Sequence, residues 1–377
     1  MVGAMIGEGQ DGFSRRDWLA ATGMVAAAIA APTTCGARTA AAAPVRLNLN
    51  ESAFGPSPRV AKAIEAALGN IARYVDQSEV DRLAEQIARQ EGVAADQIVI
   101  GEVLEPLGLY LARQRTGGGN VVYSAPGYTA LVDAAAPLGG TGKPVPLNER
   151  LENDLPALLA AIDANTLAVN LVNPHNPSGT ANDATAFDRF LTEASGRTLV
   201  VVDEAYLEYD DLAGRSAIRQ LRAGANILVF RTLAKAYGLA GLSIGYAVAP
   251  APLAKGLRDS GIGAPHSLSR LNLAAASAAL GDQAYIARVR AWTLAGRTRL
   301  EEALDAIGLQ RTDSRANFVY FRTPAAEAFR AEAAKRDIRI GRAFPPLNDW
   351  VRITVGTPNE VAAAIKLIRD VPHAAAG

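Results

Sequence analysis

Apolar residues follow two rhythms along this chain. From residue 98 to residue 230, short runs of mostly aliphatic residues recur at Ile98 to Ile100, Val121 to Tyr123, Pro144 to Leu147, Leu167 to Val172, Leu199 to Val202 and Ile227 to Phe230. Runs that lack polar alternates describe strands covered on both faces, as in a parallel sheet between helices. Helical spacing marks Val80 to Gln90, where Val80, Leu83, Ala84 and Ile87 share one face. Strands alternating with helices predict a mostly parallel sheet in a large α/β lobe. Beyond about Ala264 the rhythm changes to a long helical region, Leu271 to Ile307, then a strand at Asn317 to Phe321, another helix, and a strand at Trp350 to Val355. These read as a smaller α/β lobe, joined by the N-terminal segment from about Val45. The predicted division is residues 1–43 as a leader, 44–72 as an arm shared with the small lobe, 73–263 as the large lobe and 264–377 as the small one. An active site is expected in the cleft between lobes.

One apolar stretch carries chemistry. Between Phe230 and Tyr246 the chain brings Lys235 to the start of a glycine-punctuated loop. A lysine at a strand exit, walled by apolar and small residues, is poorly solvated. Desolvation lowers its pKa and leaves a fraction as neutral amine able to condense with an aldehyde. Upstream, the buried strand Thr198 to Val202 ends at Asp203, followed by Glu204-Ala205-Tyr206. That is the sheet edge where open α/β folds hold ligands. A second buried strand, Leu167 to Val172, runs into Asn173-Pro174-His175-Asn176-Pro177-Ser178-Gly179, whose Asn-Pro steps and glycine fix the backbone path. Pyridoxal phosphate requires this set: an amine for its aldehyde, a carboxylate for its pyridinium nitrogen, and polar groups for its ring oxygen.

Further segments lie in order around these: Asn50-Glu51-Ser52-Ala53-Phe54-Gly55-Pro56-Ser57-Pro58, Arg73-Tyr74-Val75-Asp76 and Val351-Arg352-Ile353-Thr354-Val355-Gly356-Thr357. Together they resemble the fold-type-I pyridoxal-phosphate aminotransferases, and within them the histidinol-phosphate aminotransferases, from about Val45 to about Arg369. The resemblance implies an α/β fold with a mostly parallel sheet in a large domain plus a smaller α/β domain, a pyridoxal 5'-phosphate cofactor and a homodimer. It implies that Lys235 holds the aldehyde and that Asp203 pairs with the ring nitrogen. Asn176 and Tyr206 would hydrogen-bond the ring hydroxyl, Tyr128 of Pro126-Gly127-Tyr128 would stack on the ring, and Tyr74 would reach the cofactor phosphate of a neighbouring subunit. Arg352, assisted by Arg342, would grip the acidic end of the substrate through a two-pronged guanidinium contact, with Asn176 alongside.

The departures are equally informative. Such enzymes hold the phosphate with a glycine-rich turn carrying a small hydroxyl or alanine, a serine beside the lysine and an arginine eight positions after it. Here the turn reads Gly101-Glu102-Val103-Leu104-Glu105-Pro106, Ala234 precedes the lysine, and the later position is Ser243. A dianion loses its fixed cation and meets carboxylates near a helix start. Helix N–H groups still favour phosphate, and Thr232 offers a hydroxyl. An arginine contact of roughly 1.5–3 kcal/mol is missing, so phosphate binding is expected to be weaker or differently built. Arg270, in Ser267-Leu268-Ser269-Arg270, is a candidate substitute.

The N-terminus reads Ser14-Arg15-Arg16-Asp17-Trp18-Leu19 and then a modestly apolar stretch, Ala20 to Ala31. This resembles a twin-arginine export signal, with cleavage expected after Ala40-Ala41-Ala42. The apolar run falls short of the about 20 residues a spanning helix needs. Export by that route delivers a folded protein with its cofactor in place, so a periplasmic location is compatible with pyridoxal phosphate; without a working leader the location would be cytoplasmic. Cys35 is the only cysteine, so cleavage leaves no thiol for a disulfide.

Lys plus Arg and Asp plus Glu number 38 each among 377 residues, a balance that gives no sign of a nucleic-acid or membrane-surface partner. No metal is implied. Gly241-Leu242-Ser243-Ile244-Gly245 fits the G-x-S-x-G pattern of serine hydrolases, but a loop-like run precedes Ser243 and only His266 and His373 follow as possible bases. A non-catalytic periplasmic binding protein on the same scaffold, or a cofactor-dependent lyase, decarboxylase or cyclase, are the other readings. The expectation is a transaminase acting on an amino acid or amine and a 2-oxo acid. Histidinol phosphate fits an exported chain poorly, since its biosynthesis is cytoplasmic.

Overall fold

The computed structural model describes residues 44–210 and 212–373; the expected leader lies outside them. In chain order the strands are β1 Val45–Leu47, β2 Ile98–Ile100, β3 Asn120–Ala125, β4 Thr141–Pro146, β5 Thr166–Val172, β6 Leu199–Asp203, β7 Ile227–Thr232, β8 Gly245–Val248, β9 Phe318–Arg322, β10 Ile338–Ile340 and β11 Trp350–Thr354. The main sheet has the order β2-β8-β7-β6-β5-β3-β4. Its pairs are parallel except those of β8, which runs antiparallel to both β7 and β2. The aliphatic runs of β5, β6 and β7 are buried along nearly their whole lengths. One apolar cluster covers each face of this sheet. That double cover explains why the strands show no polar alternation.

Several elements differ from the sequence expectation, among them β1 and β10, which were not anticipated. The strand expected at Pro144 to Leu147 begins at Thr141 and ends at Pro146, because pairing with β3 rather than hydrophobicity sets its register. Strand β8 was not anticipated. It is short and lies beyond a glycine-punctuated loop, and a Cβ on Gly245 would sit 2.6 Å from the Arg231 carbonyl oxygen, so a glycine admits the close approach to β7. The long helical region is two helices, Arg270–Leu280 and Gln283–Asp305. Asp282 interrupts it by capping the second helix, accepting the Tyr285 N–H at 3.2 Å and the Ser57 hydroxyl at 2.6 Å.

The smaller layer contains the β1–β10 parallel pair and the β9–β11 antiparallel pair. Its core includes Leu47, Val319, Phe321, Phe329, Val351, Ile353 and Leu367. The change of core falls inside the helix Gln283–Asp305. Tyr285, Ile286 and Val289 pack with the large cluster, whereas Leu300 and Leu304 pack with the small one. Among the described residues no helix is long and apolar enough to cross a membrane.

A buried charge network is built into the sheet at β7. Arg231 is 3% exposed. Its guanidinium lies 2.9 Å from Glu204, 3.5 Å from Glu91 and 3.8 Å from Glu208, and donates to Ser216 Oγ at 2.9 Å. Glu204 also accepts from the Ser216 hydroxyl at 2.9 Å and the Ala217 N–H at 2.7 Å. Burial opposes the charge on Arg231, but Glu204 and the other acids outweigh it and raise its pKa. Burial pushes the Glu208 carboxyl up to about 7, against the pull of Arg231.

Candidate active site

Parallel pairing aligns the ends of β5, β6 and β7, placing Val172 beside Asp203 and Asp203 beside Phe230. Over this edge lies a cavity of about 420 Å³. Lys235, Asp203, Asn176, Tyr206, Tyr128, Thr232, Arg342 and Arg352 all line it. Tyr74 alone among the expected site residues does not.

Lys235 sits in the turn after β7. The turn is tied down by Leu233 N–H to the Ile244 carbonyl and Leu239 N–H to the Leu233 carbonyl, both at 3.0 Å. Gly238 has φ +71°, and a Cβ there would meet the Gly55 carbonyl carbon at 2.5 Å, so only glycine fits where the turn abuts the N-terminal segment. That segment supplies the Leu49 carbonyl, which accepts from Lys235 Nζ at 3.1 Å. Burial lowers the Lys235 pKa and Arg352 lowers it further, while Asp203 opposes both. A lowered pKa enlarges the neutral, nucleophilic fraction of the amine.

Asp203 closes β6 and is buried. Burial pushes its carboxyl up to about 7; the Ala205 N–H, bonded at 2.9 Å, works the other way. Such a group ionises readily once a cation faces it. Tyr206 stands edge-on to Phe318 at 5.3 Å, and its hydroxyl oxygen accepts from Asn50 Nδ2 at 3.0 Å.

Asn50 is a functional position that the sequence reading quoted without giving it a role. It is fully buried with φ +56°, a conformation asparagine tolerates better than most residues. Its N–H donates to Thr354 Oγ1 at 3.1 Å, the Thr354 hydroxyl donates back to its Oδ1 at 3.1 Å, and its carbonyl accepts from Asn317 Nδ2 at 3.0 Å. A polar residue between the first strand and a glycine-proline turn is the signal that could have singled it out.

Arg352, in β11, is 6% exposed. It donates from Nη1 to Asn176 Oδ1 and from Nη2 to the Asn48 carbonyl at 2.8 Å. Its guanidinium lies 5.4 Å from the Phe318 ring centre and 4.9 Å from that of Phe344. Burial lowers its pKa, and the charge of Arg342 adds to this. Arg342 is exposed, lies 4.4 Å over Phe344 and reaches the same cavity. Asn176 is held by a loop in which the buried His175 bonds Ser178 Oγ at 3.0 Å, and Ser178 in turn contacts Thr180 Oγ1 at 2.8 Å.

The remaining expected residues divide. Tyr128 is 46% exposed at the cavity wall, its hydroxyl pKa pushed up to about 12 by burial and then by Glu105, Asp203 and Glu102. Tyr74 is 83% exposed, edge-on to His266 at 5.5 Å. Arg270 does not enter this chain's cavity. It grips Glu79 with two bonds of 2.8 Å and caps the carbonyls of Asn70, Arg73 at 2.9 Å and Tyr74 at 2.7 Å, so it braces the turn that presents Tyr74. Ser243 is not on a nucleophile elbow: it follows a short turn, Ala240–Leu242, with φ +45° and leads into β8. His266 is exposed beside Tyr74, and His373 bonds Thr323 and the Ile368 carbonyl. Neither later histidine is hydrogen-bonded to Ser243, so the hydrolase reading lacks its expected base.

Pyridoxal phosphate can be tested against this donor set. An amine of lowered pKa, a buried carboxylate, an amide, two tyrosines and a guanidinium with no carboxylate partner converge on one cavity, as the aldehyde, ring and substrate acid require. The expected phosphate end differs. Thr232 donates its hydroxyl to Glu102 Oε1 at 3.1 Å, and burial raises the Glu102 pKa.

Comparison with known proteins agrees with the fold and with pyridoxal phosphate as the cofactor. Residues 43–368 match the family model for aminotransferase class I and II. A protein named histidinol-phosphate aminotransferase 2, from Carboxydothermus hydrogenoformans, is 34% identical over 333 residues, covering 86% of this chain and 90% of that protein. The crystal structure of histidinol-phosphate aminotransferase from Sinorhizobium meliloti in complex with pyridoxal-5'-phosphate superimposes with a TM-score of 0.77 at 32% identity, over 87% of this chain and 92% of that one. A putative histidinol-phosphate aminotransferase from Erwinia carotovora atroseptica gives a TM-score of 0.80 at 28% identity, over 87% and 95%. The chain thus belongs to the class I and II aminotransferase family, as a pyridoxal-phosphate-dependent transaminase of fold type I similar to the histidinol-phosphate aminotransferases.

Proposed function

We propose that this enzyme moves an amino group between an amino acid or small amine and a 2-oxo acid, with Lys235, Asp203 and Arg352 as its principal groups. The observation that carries this reading is their convergence. Lys235 and Asp203 feel each other's charge, and Arg352 faces the same cavity with only amide and carbonyl partners.

Bound pyridoxal phosphate supplies an electron sink for the pair released at the substrate Cα. The protein's own groups do the rest. Lys235 Nζ, the amine that would hold the aldehyde, would take the Cα proton as general base and return it as general acid. Asp203 would keep the ring nitrogen positive, while Tyr206, fixed by Asn50, and Asn176 would orient the ring and Tyr128 would cover it. Arg352, with Arg342 at the rim, orients the substrate carboxylate or phosphate. Tyr74, braced by Arg270, would act across a homodimer, on the neighbouring subunit's cofactor.

The paired arginines at Arg15-Arg16 support export by the twin-arginine machinery to the periplasm. Against that location, an amino acid or amine suits the site better than histidinol phosphate. The test is an absorption spectrum of purified protein with pyridoxal phosphate, then with candidate amines and 2-oxo acids. A visible band lost in Lys235→Ala, with keto-acid production falling by at least roughly 10²–10⁴-fold, is expected. A band with no keto acid from any amine would favour a lyase instead. A wild-type spectrum without the band would remove the assignment of Lys235.

A further inference from the structure

The end of the cavity lined by Glu102, Thr232, Ala234 and Ser243 offers an anion no cation and commits several of its donors elsewhere. Thr232 gives its hydroxyl proton to Glu102 Oε1 at 3.1 Å, and its oxygen accepts the Ala234 N–H at 3.1 Å. A hydroxyl and a backbone N–H that could both face a phosphate are therefore drawn into a relay ending on a carboxylate. The Gly101 N–H is also engaged, on the Gly245 carbonyl at 2.9 Å. The helix that opens here, Leu104–Arg113, has Pro106 in its first turn and so lacks one of the N–H groups that bind anions at helix starts. Glu102 before it and Glu105 inside it offset the positive end of its dipole.

Charge tells the same story. The ionised groups acting on Glu102 are Glu105, which adds to the effect of burial, and Lys235, which opposes it. Of the cavity's other cations, Arg352 is turned onto Asn176 and Asn48, and Arg342 onto Phe344. Arg270, the expected replacement, is held by Glu79 and the Asn70–Tyr74 turn. A carboxylate thus occupies the place where a phosphate would need a cation.

We propose that Glu102, held on Thr232, sets this cavity against the phosphate dianion, so that the chain takes unphosphorylated pyridoxal at least as tightly as pyridoxal phosphate. The proposal rests on Lys235 being the amine that condenses with the aldehyde. Glu102 acts here as a specificity-determining residue.

The experiment titrates the purified, cofactor-free full chain with pyridoxal phosphate and, separately, with pyridoxal, reading the visible band and its Kd. The wild-type Kd for pyridoxal is expected to equal or undercut that for pyridoxal phosphate. Glu102→Gln keeps the shape and an acceptor for Thr232 but removes the charge. It is expected to tighten pyridoxal phosphate on the order of tenfold or more and to leave pyridoxal nearly unchanged. A wild-type preference of about tenfold or more for pyridoxal phosphate would overturn the proposal, as would an unchanged ratio in a folded Glu102→Gln variant; the latter is also the outcome if Glu102 is protonated and donates to the phosphate. Should the variant not fold, the wild-type ratio decides alone. If neither aldehyde gives a band that Lys235→Ala abolishes, the assignment of Lys235 fails and this proposal with it. If both do and pyridoxal phosphate is preferred, only this proposal fails.

Discussion

Arg231 and Arg352 are both nearly inaccessible, 3% and 6% exposed, yet the protein treats them in opposite ways. Arg231 is surrounded by Glu91, Glu204 and Glu208, and its pKa is raised because those acids outweigh burial. Arg352 has no carboxylate within salt-bridge distance among the described residues. Its contacts are an amide oxygen, a backbone carbonyl and two aromatic rings, and burial lowers its pKa. Taking a charge out of water costs several kcal/mol unless a partner compensates. Arg231 has that compensation inside the fold; Arg352 lacks it among the described residues, and under the proposed function a bound anion would supply it. Burial alone therefore does not mark a functional arginine. The absence of a permanent counter-charge does.

The largest expected effect breaks the first half of this contrast. Arg231→Met leaves three buried acids around an apolar side chain and should lower stability by about 3–5 kcal/mol in urea unfolding. Destabilisation below about 1 kcal/mol would mean the network is weakly held. The second half predicts a different readout: Arg352→Gln should leave stability within about 1 kcal/mol of wild type. The same variant should reduce kcat/KM for carboxylate-bearing substrates by about 2–4 kcal/mol, roughly 30- to 1,000-fold. If stability falls and kcat/KM per folded enzyme holds, the two arginines have been assigned the wrong way round.

The smallest effect concerns protons around Arg231. The Glu208 carboxyl, normally near 4.5, is pushed up to about 7 by burial. The folded chain then retains a proton that the unfolded chain has released, so this contribution is full below about pH 4.5 and is lost as pH rises through about 7. Asp203, pushed up from 3.8 to about 7, acts in the same direction in the cofactor-free chain. Between pH 5 and 8 the cofactor-free protein should lose on the order of 2–3 kcal/mol through Glu208. Glu208→Gln should flatten the stability profile by that amount. A profile rising over this range would contradict the direction of both shifts.

Much of the large lobe was legible because its strands are buried on both faces. Val200, Val201 and Val202 need no long-range information to be read as strand, and the lysine after β7 and the aspartate closing β6 follow once those strands are placed. Strand β8 was not legible, since its pairing with β7 depends on a glycine admitting close contact rather than on any apolar period. The contacts of Arg270 within its own chain were not legible for a similar reason. Nothing near it in sequence announces Glu79 or the Asn70–Tyr74 carbonyls, which lie some two hundred residues earlier. Asn50 took its role from Tyr206 and Thr354, 156 and 304 residues away along the chain.

The sequence by itself determined the layered α/β architecture, most strands of the large sheet and the candidate amine and carboxylate at their ends. Those are local consequences of hydrophobic runs, turn residues and desolvation at a strand exit. Only the tertiary structure decided which charges are satisfied internally and which are left for a ligand: Arg231 closed upon its three glutamates, Arg352 open, Thr232 committed to Glu102. A side chain's type fixes what it can bond, but its partner is chosen by pieces of chain that meet only when the fold is complete.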